Sequence, residues 1–273
     1  MVSEITTSNQ KFLATKEYRR FTEFCDACKR DKYIGLCYGP PGVGKTLSAN
    51  AYSNWDEVEQ LSEQHSTQWM GDDKFVAPVK VRTYDCVFVT APVINGARLV
   101  QQLVDRARLQ LCSLIEGSYH VDGRDDMMED DRYSNLIIVD EADRLKLQAL
   151  EELRSIFDKS KVGIILIGMP GMQKKLSRYP QLYSRVGFVH EFRALSQDEL
   201  MFLVEQHLIK HLNIQDFTDQ EALSAMVRIT QGNFRLLMRL LVQIKRILEI
   251  NKLQIITKEV VEAARQNLVI GLP

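Results

Sequence analysis

The run Tyr33-Ile-Gly-Leu-Cys-Tyr38, followed at once by Gly39-Pro40-Pro41-Gly42-Val43-Gly44-Lys45-Thr46, decides the fold. The first six residues have the apolar, β-branched and aromatic character of a short strand, and the stretch from Thr46 to Trp55 has helix-forming character. Between them lies the pattern G-x-x-x-x-G-K-[ST], a phosphate-binding loop in the position its mechanism requires, after a strand and opening a helix. Glycines let the backbone wrap closely enough for successive N–H groups to face phosphate oxygens, and the helix N-terminus adds partial positive charge. The spacing therefore predicts a nucleotide-binding set of Gly39, Pro40, Pro41, Gly42, Val43, Gly44, Lys45, Thr46 and Leu47. Lys45 would reach the β- and γ-phosphates of ATP, and the Thr46 hydroxyl would ligate Mg²⁺.

Downstream, Leu136-Ile-Ile-Val-Asp140-Glu141 places two acids at the end of a continuously apolar run, the signature of a strand buried on both faces of a parallel sheet. Such sheets present ligand-binding groups at the carboxyl ends of their strands. Asp140 is expected to hold the metal and Glu141 to orient and activate the attacking water. Adjacent acids can also simply open a helix, where negative charge is favoured. The upstream phosphate loop is what favours the catalytic reading here.

Working outward, Asp85 to Thr90, Gly163 to Ile167 and Gly187 to Phe192 also read as strands. Helices are expected at Lys11 to Lys29, Asp56 to Gln64 and Asn95 to Ile115, the last with an apolar stripe of Leu99, Leu103, Ala107 and Leu111. Strands alternating with helices imply right-handed crossovers and a parallel sheet flanked by helices, an α/β fold. From Ser196 the strand signal ends, and segments starting near Gln197, Thr218, Asn233 and Thr257 all read as helices. The expected organisation is an N-terminal helical segment over 1–31, an α/β domain over 32–194 and a small all-α domain over 195–273. The polar stretch 56–82 holds no motif beyond its short helix, and Gly117 to Asp131 reads as an acidic loop.

The 273 residues carry a formal net charge of −1, so any attraction for nucleic acid must come from a local patch. No apolar run approaches the roughly 20 residues needed to cross a bilayer, which points to a cytoplasmic protein with no membrane partner. Five cysteines do not make a disulfide framework in a chain of this size, and Cys25-x-x-Cys28 has no second pair downstream to complete a zinc site.

The sequence Asp140-Glu141-Ala142-Asp143-Arg144-Leu145 after such a strand resembles AAA+ ATPases. The whole arrangement, with Gly232-Asn-Phe-Arg-Leu-Leu-Met-Arg239 downstream, is similar to the transposition regulators TniB, TnsC and MuB over about Lys32 to Asn267. This resemblance implies a P-loop AAA+ sheet with a helical lid, and ATP bound between subunits of a ring or helical filament. A neighbour then supplies an arginine to the γ-phosphate. Arg185 stands where that arginine is expected, with Arg178 and Arg193 as competitors and a surface ion pair as the plain alternative. Arg235 matches the lid arginine called sensor 2. The resemblance further implies backbone contacts to duplex DNA from Arg98 and from the loop around Ser118, including Arg124. For Arg98 an exposed helix charge is an equal reading, and the acids Asp125, Asp126, Glu129, Asp130 and Asp131 argue against a broad basic surface there.

One departure stands out. AAA+ proteins place a polar residue after the fourth strand, and this chain has Ile167-Gly168-Met169-Pro170. The resemblance thus implies an ATP-dependent DNA-binding regulator that recruits or activates a transposase, with slow hydrolysis driving disassembly. A replication-initiation helicase or clamp loader shares the same motifs, and a nucleotide-gated adaptor with little turnover would suit Met169.

Overall fold

The computed structural model describes residues 14–68, 76–119, 134–211 and 219–268. The chain divides into two compact units, one of Arg20–Arg193 and a second that takes in Ala194–Pro273.

The first unit is built on five parallel strands, β1 (Ile34–Tyr38), β2 (Cys86–Thr90), β3 (Leu136–Asp140), β4 (Gly163–Gly168) and β5 (Val186–Glu191), in the order β2-β3-β4-β1-β5. The two most apolar segments take the interior of the sheet. Every residue of β3 and β4 is buried, as continuous Leu/Ile/Val runs require. β5, at the edge, alternates between half-buried and exposed residues. Parallel strands need crossovers, so α2 (Lys45–Ser53), α3 (Trp55–Gln68), α4 (Ala97–Tyr119), α5 (Leu147–Ser160) and the short α6 (Met172–Leu176) and α7 (Pro180–Tyr183) connect them. Register brings Tyr38 level with Gly168 and Thr90 level with Asp140, so the carboxyl ends of these strands share one edge.

The helix α1 (Lys16–Asp31) precedes β1 and packs on the sheet. Phe21, Cys25 and Cys28 are fully buried in the sheet's core, and the Phe21 ring lies 5.9 Å from that of Phe192. From Arg20 onward this helix counts with the sheet unit, where sequence set 1–31 apart. Its cysteines are free thiols, and burial pushes Cys28 up to about 12.

Two local expectations are corrected. The buried stripe of α4 is Val100, Val104, Ala107, Leu111, Leu114 and Ile115, whereas Leu99 is exposed. A spacing of four drifts around a helix of 3.6 residues per turn, and the mixed spacing of three and four keeps one face inward. The same helix runs on to Tyr119, so Gly117 and Ser118 are helical rather than part of a loop. Arg124 and the acidic cluster from Asp125 to Asp131 lie outside the described residues.

In the second unit α8 (Gln197–His211), α9 (Gln220–Thr230), α10 (Phe234–Asn251) and α11 (Lys258–Gln266) form a separate apolar core. The side chains of Asp219, Asn233 and Thr257 accept the free backbone N–H groups at the starts of α9, α10 and α11. Leu237, Leu241, Ile244 and Leu248 of α10 face inward, and Arg235, Arg239 and Arg246 stand exposed. No helix among the described residues is long and apolar enough to cross a membrane.

Phe21→Ala tests whether α1 is part of the sheet's core. Removing this fully buried ring is expected to cost about 3–5 kcal/mol in urea unfolding followed by circular dichroism. A change below 1 kcal/mol would mean that the helix is only loosely attached.

Candidate nucleotide-binding site

The turn after β1 is shaped by two left-handed glycines, Gly42 (φ 79°) and Gly44 (φ 107°), a conformation side-chain-bearing residues rarely adopt. Gly39 is held for a different reason, because a Cβ there would run into the carbonyl of Phe192. These constraints wrap the loop tightly before α2 begins at Lys45.

Lys45 lies over this loop, its Nζ donating to the carbonyls of Gly39 (2.6 Å) and Pro40 (2.8 Å). Burial pushes its pKa down, while the charges of Asp140, Glu141 and Asp143 act in the opposite sense. One residue on, the Thr46 hydroxyl donates to Asp140 Oδ2 at 2.6 Å, joining positions 94 residues apart. A hydroxyl and a carboxylate side by side are the oxygen donors that Mg²⁺ prefers, so the residues present fit that metal. The second oxygen of Asp140 accepts the backbone N–H of Glu141 (2.8 Å), which fixes the carboxylate's rotation.

Glu141 adopts a left-handed conformation, φ 54° and ψ 31°. The other five non-glycine residues with positive φ among the described residues, Lys32, Asn54, Lys161, Gln231 and Lys252, each follow a helix, where such a residue caps the last carbonyls. Glu141 instead opens a 3-10 turn over Ala142–Arg144. Left-handed backbone costs about 1–2 kcal/mol for a residue with a Cβ, so surrounding contacts must hold it. They are Arg144, which pairs with the Glu141 carboxylate (3.4 Å), and a set of backbone bonds to Asn95 and Lys175. At the end of β4, the Met169 N–H donates to Asp143 Oδ1 (3.3 Å), so the polar group beside this strand comes from Asp143. Sequence held no signal for Asn95 or Lys175, because their partners lie about 50 and 30 residues away and are backbone atoms.

The remaining candidates have surroundings of their own. Arg185 sits where Ile34, the first residue of β1, donates its N–H to the Arg185 carbonyl, at the end of the strand opposite the phosphate loop. Its guanidinium grips Asp158 through two bonds of 2.7 and 3.0 Å and holds that carboxyl below the usual range, with Arg154 helping. Arg193 is exposed beside Glu191, and Arg178 is exposed after α6. Arg98 is exposed in the first turn of α4. Ser118 is fully buried, donates to the Ile115 carbonyl and accepts from Arg82 Nε, so its hydroxyl cannot reach a DNA backbone as placed here. Arg235 stands on the exposed face of α10.

Comparison with known proteins agrees with this geometry. Residues 28–176 match the AAA domain family. A potential ATP-binding protein of Staphylococcus aureus is 47% identical over 275 residues, covering 97% of this chain and 99% of the relative. The Mu-like prophage FluMu DNA transposition protein B of Haemophilus influenzae is 23% identical, over 83% of this chain and 70% of that protein. Among solved structures, the Thermotoga maritima RuvB Holliday junction branch migration motor aligns with a TM-score of 0.58 at 16% identity, covering 92% of this chain and 68% of that one. The Aeropyrum pernix ORC2 protein aligns with a TM-score of 0.59 at 16% identity, covering 97% and 70%. These likenesses show a shared P-loop AAA fold.

Lys45→Met removes the cation and keeps most of the side chain's bulk. Affinity for fluorescent ATP with magnesium is expected to fall at least about 100-fold, ~2.7 kcal/mol, with the unfolding midpoint little changed. Equal affinity in the variant would mean that the loop does not bind triphosphate.

Proposed function

The chain belongs to the AAA domain family, and from that premise we propose that it hydrolyses ATP and acts as a DNA-binding regulator of transposition. In this reading it assembles on duplex DNA as a ring or filament, recruits or activates a transposase, and leaves when ATP is hydrolysed. The observation that carries the ATPase part is the meeting of Thr46 and Asp140 across the sheet edge, with Glu141 next in sequence. The transposition part draws its support from similarity to the Mu-like transposition protein B over most of both chains.

The chain's own residues divide the work. Backbone N–H groups of Gly42 to Lys45 surround the phosphates, and Lys45 exchanges its bonds to the Gly39 and Pro40 carbonyls for phosphate oxygens. Thr46 and Asp140 would hold Mg²⁺, which would supply positive charge beside the phosphate oxygens. Glu141 orients the attacking water and takes its proton. Arg185 of a neighbouring copy neutralises charge developing on the γ-phosphate, exchanging its bonds to Asp158 for phosphate oxygens. Arg235 is the sensor 2 arginine that the resemblance assigns. Arg98, exposed after β2, meets the DNA backbone by charge alone, without sequence preference. With Met169 where a polar side chain would assist the water, turnover is slow.

Met169 also favours a second reading, an adaptor that binds ATP without useful turnover. Phosphate release by wild type against Glu141→Gln separates the two. The ATPase reading expects at least a 100-fold drop with ATP affinity retained, since general-base removal typically costs about 10²–10⁴-fold. Equal, negligible rates support the adaptor. Arg185→Ala should lose activity alone yet regain part of it when mixed with Lys45→Met, each variant supplying what the other lacks. Electron microscopy of ATP-bound protein on duplex DNA should show ordered assemblies, and particles that stay monomeric would overturn the regulator.

A further inference from the structure

Asn95 is a buried amide, 6% exposed, between β2 and α4, and it has no part in binding phosphate or metal. Its Nδ2 donates to the carbonyls of Pro92 (3.0 Å), in its own loop, and Arg144 (3.0 Å). Its Oδ1 accepts the N–H of Lys146 (2.8 Å). Lys175, on α6, donates to the carbonyls of Asp143 and Leu145, both at 2.7 Å. Two side chains from different crossovers thus take up backbone groups of four consecutive residues, 143 to 146, which form the second half of the turn opened by Glu141 and the two residues after it.

We propose that Asn95 and Lys175 are positioning residues for hydrolysis, a two-sided clamp that holds the Asp143–Lys146 backbone and through it the left-handed Glu141. This deepens the ATPase reading and rests on it. The physical case begins with Glu141 itself, whose backbone conformation is unfavourable on its own and whose carboxylate touches Arg144 alone among the described ion pairs. A general base must sit within hydrogen-bond reach of its water, and an ångström of misplacement can cost about 100-fold in rate. Apolar packing also anchors this stretch, through fully buried Leu145, beside the bonds from the two clamp residues. What they add is directional: each satisfies specific backbone atoms that would otherwise need another partner, and so selects one arrangement of the turn. Pro92 and Asn95 belong to the connection after β2, with exposed Val93 and Ile94 between them.

The test uses the full chain as wild type, Asn95→Ala and Lys175→Met. Each variant is scored for ATP affinity, phosphate release at saturating ATP, unfolding midpoint and amide hydrogen exchange in peptides spanning 141–147. The expected result is ATP affinity within about threefold of wild type, release at least tenfold slower, and faster exchange confined to those peptides. If Asn95→Ala does not fold, Lys175→Met decides, because its half-buried side chain leaves the core intact. Release within twofold of wild type in the folded variants overturns the clamp while leaving the ATPase reading in place, as does a loss of ATP affinity equal to the loss of rate. Wild-type protein that releases no phosphate overturns the ATPase reading and the clamp with it.

Discussion

A parallel sheet places the carboxyl end of every strand on the same edge, and the site depends on that constraint. β1 ends in the phosphate loop and β3 in Asp140, and with β4 between them their ends are still close enough for Thr46 to reach Asp140 at 2.6 Å. No local propensity joins positions 46 and 140. The apolar runs of β3 and β4 do so, because they are satisfied only in the middle of the sheet, under helices on both faces. Burial of Ile and Leu along these strands is thus the source of precision at their polar ends.

The same logic explains which parts of this architecture can be read from sequence. Strand runs bounded by glycine or acid, such as Ile34–Tyr38 and Leu136–Asp140, state their burial in composition, and the spacing of Gly39, Gly44 and Lys45 states a backbone shape. The stripe of α4 was harder, since alanine, valine and leucine occur on more than one of its faces and only tertiary contact chooses among them. Ser118 falls in the acidic stretch Gly117 to Asp131 that reads as a loop in sequence, yet α4 continues past Gly117 and Arg82 reaches in to bond its hydroxyl and carbonyl. Asn95 and Lys175 were invisible for a deeper reason. Backbone carbonyls are chemically identical at every residue, so no sequence pattern marks the ones a distant side chain will find.

The two units also differ in how they use polar groups. In the helical unit, Asp219, Asn233 and Thr257 each cap their own helix, within three residues, and the motif is legible locally. Around Glu141 the polar contacts run between elements, from β2's connection and from α6, and they rest on a residue in a costly backbone conformation. Local capping makes helices stable. Contacts across elements make a geometry specific, and strain is tolerated where they converge.

If Arg185 serves a neighbour's site as proposed, its separation from the phosphate loop limits the symmetry of the assembly. The loop leaves one end of β1 and Arg185 stands beside the other, about 13 Å away along a five-residue strand. A copy that lends its guanidinium at one end and accepts another's at the opposite end has polarity, like a brick with a tab and a slot. Two such copies facing each other across a two-fold axis would use one surface twice and leave the other unused. Head-to-tail stacking satisfies both, and it either closes after a fixed number of copies or continues as a helix, according to the rotation between neighbours.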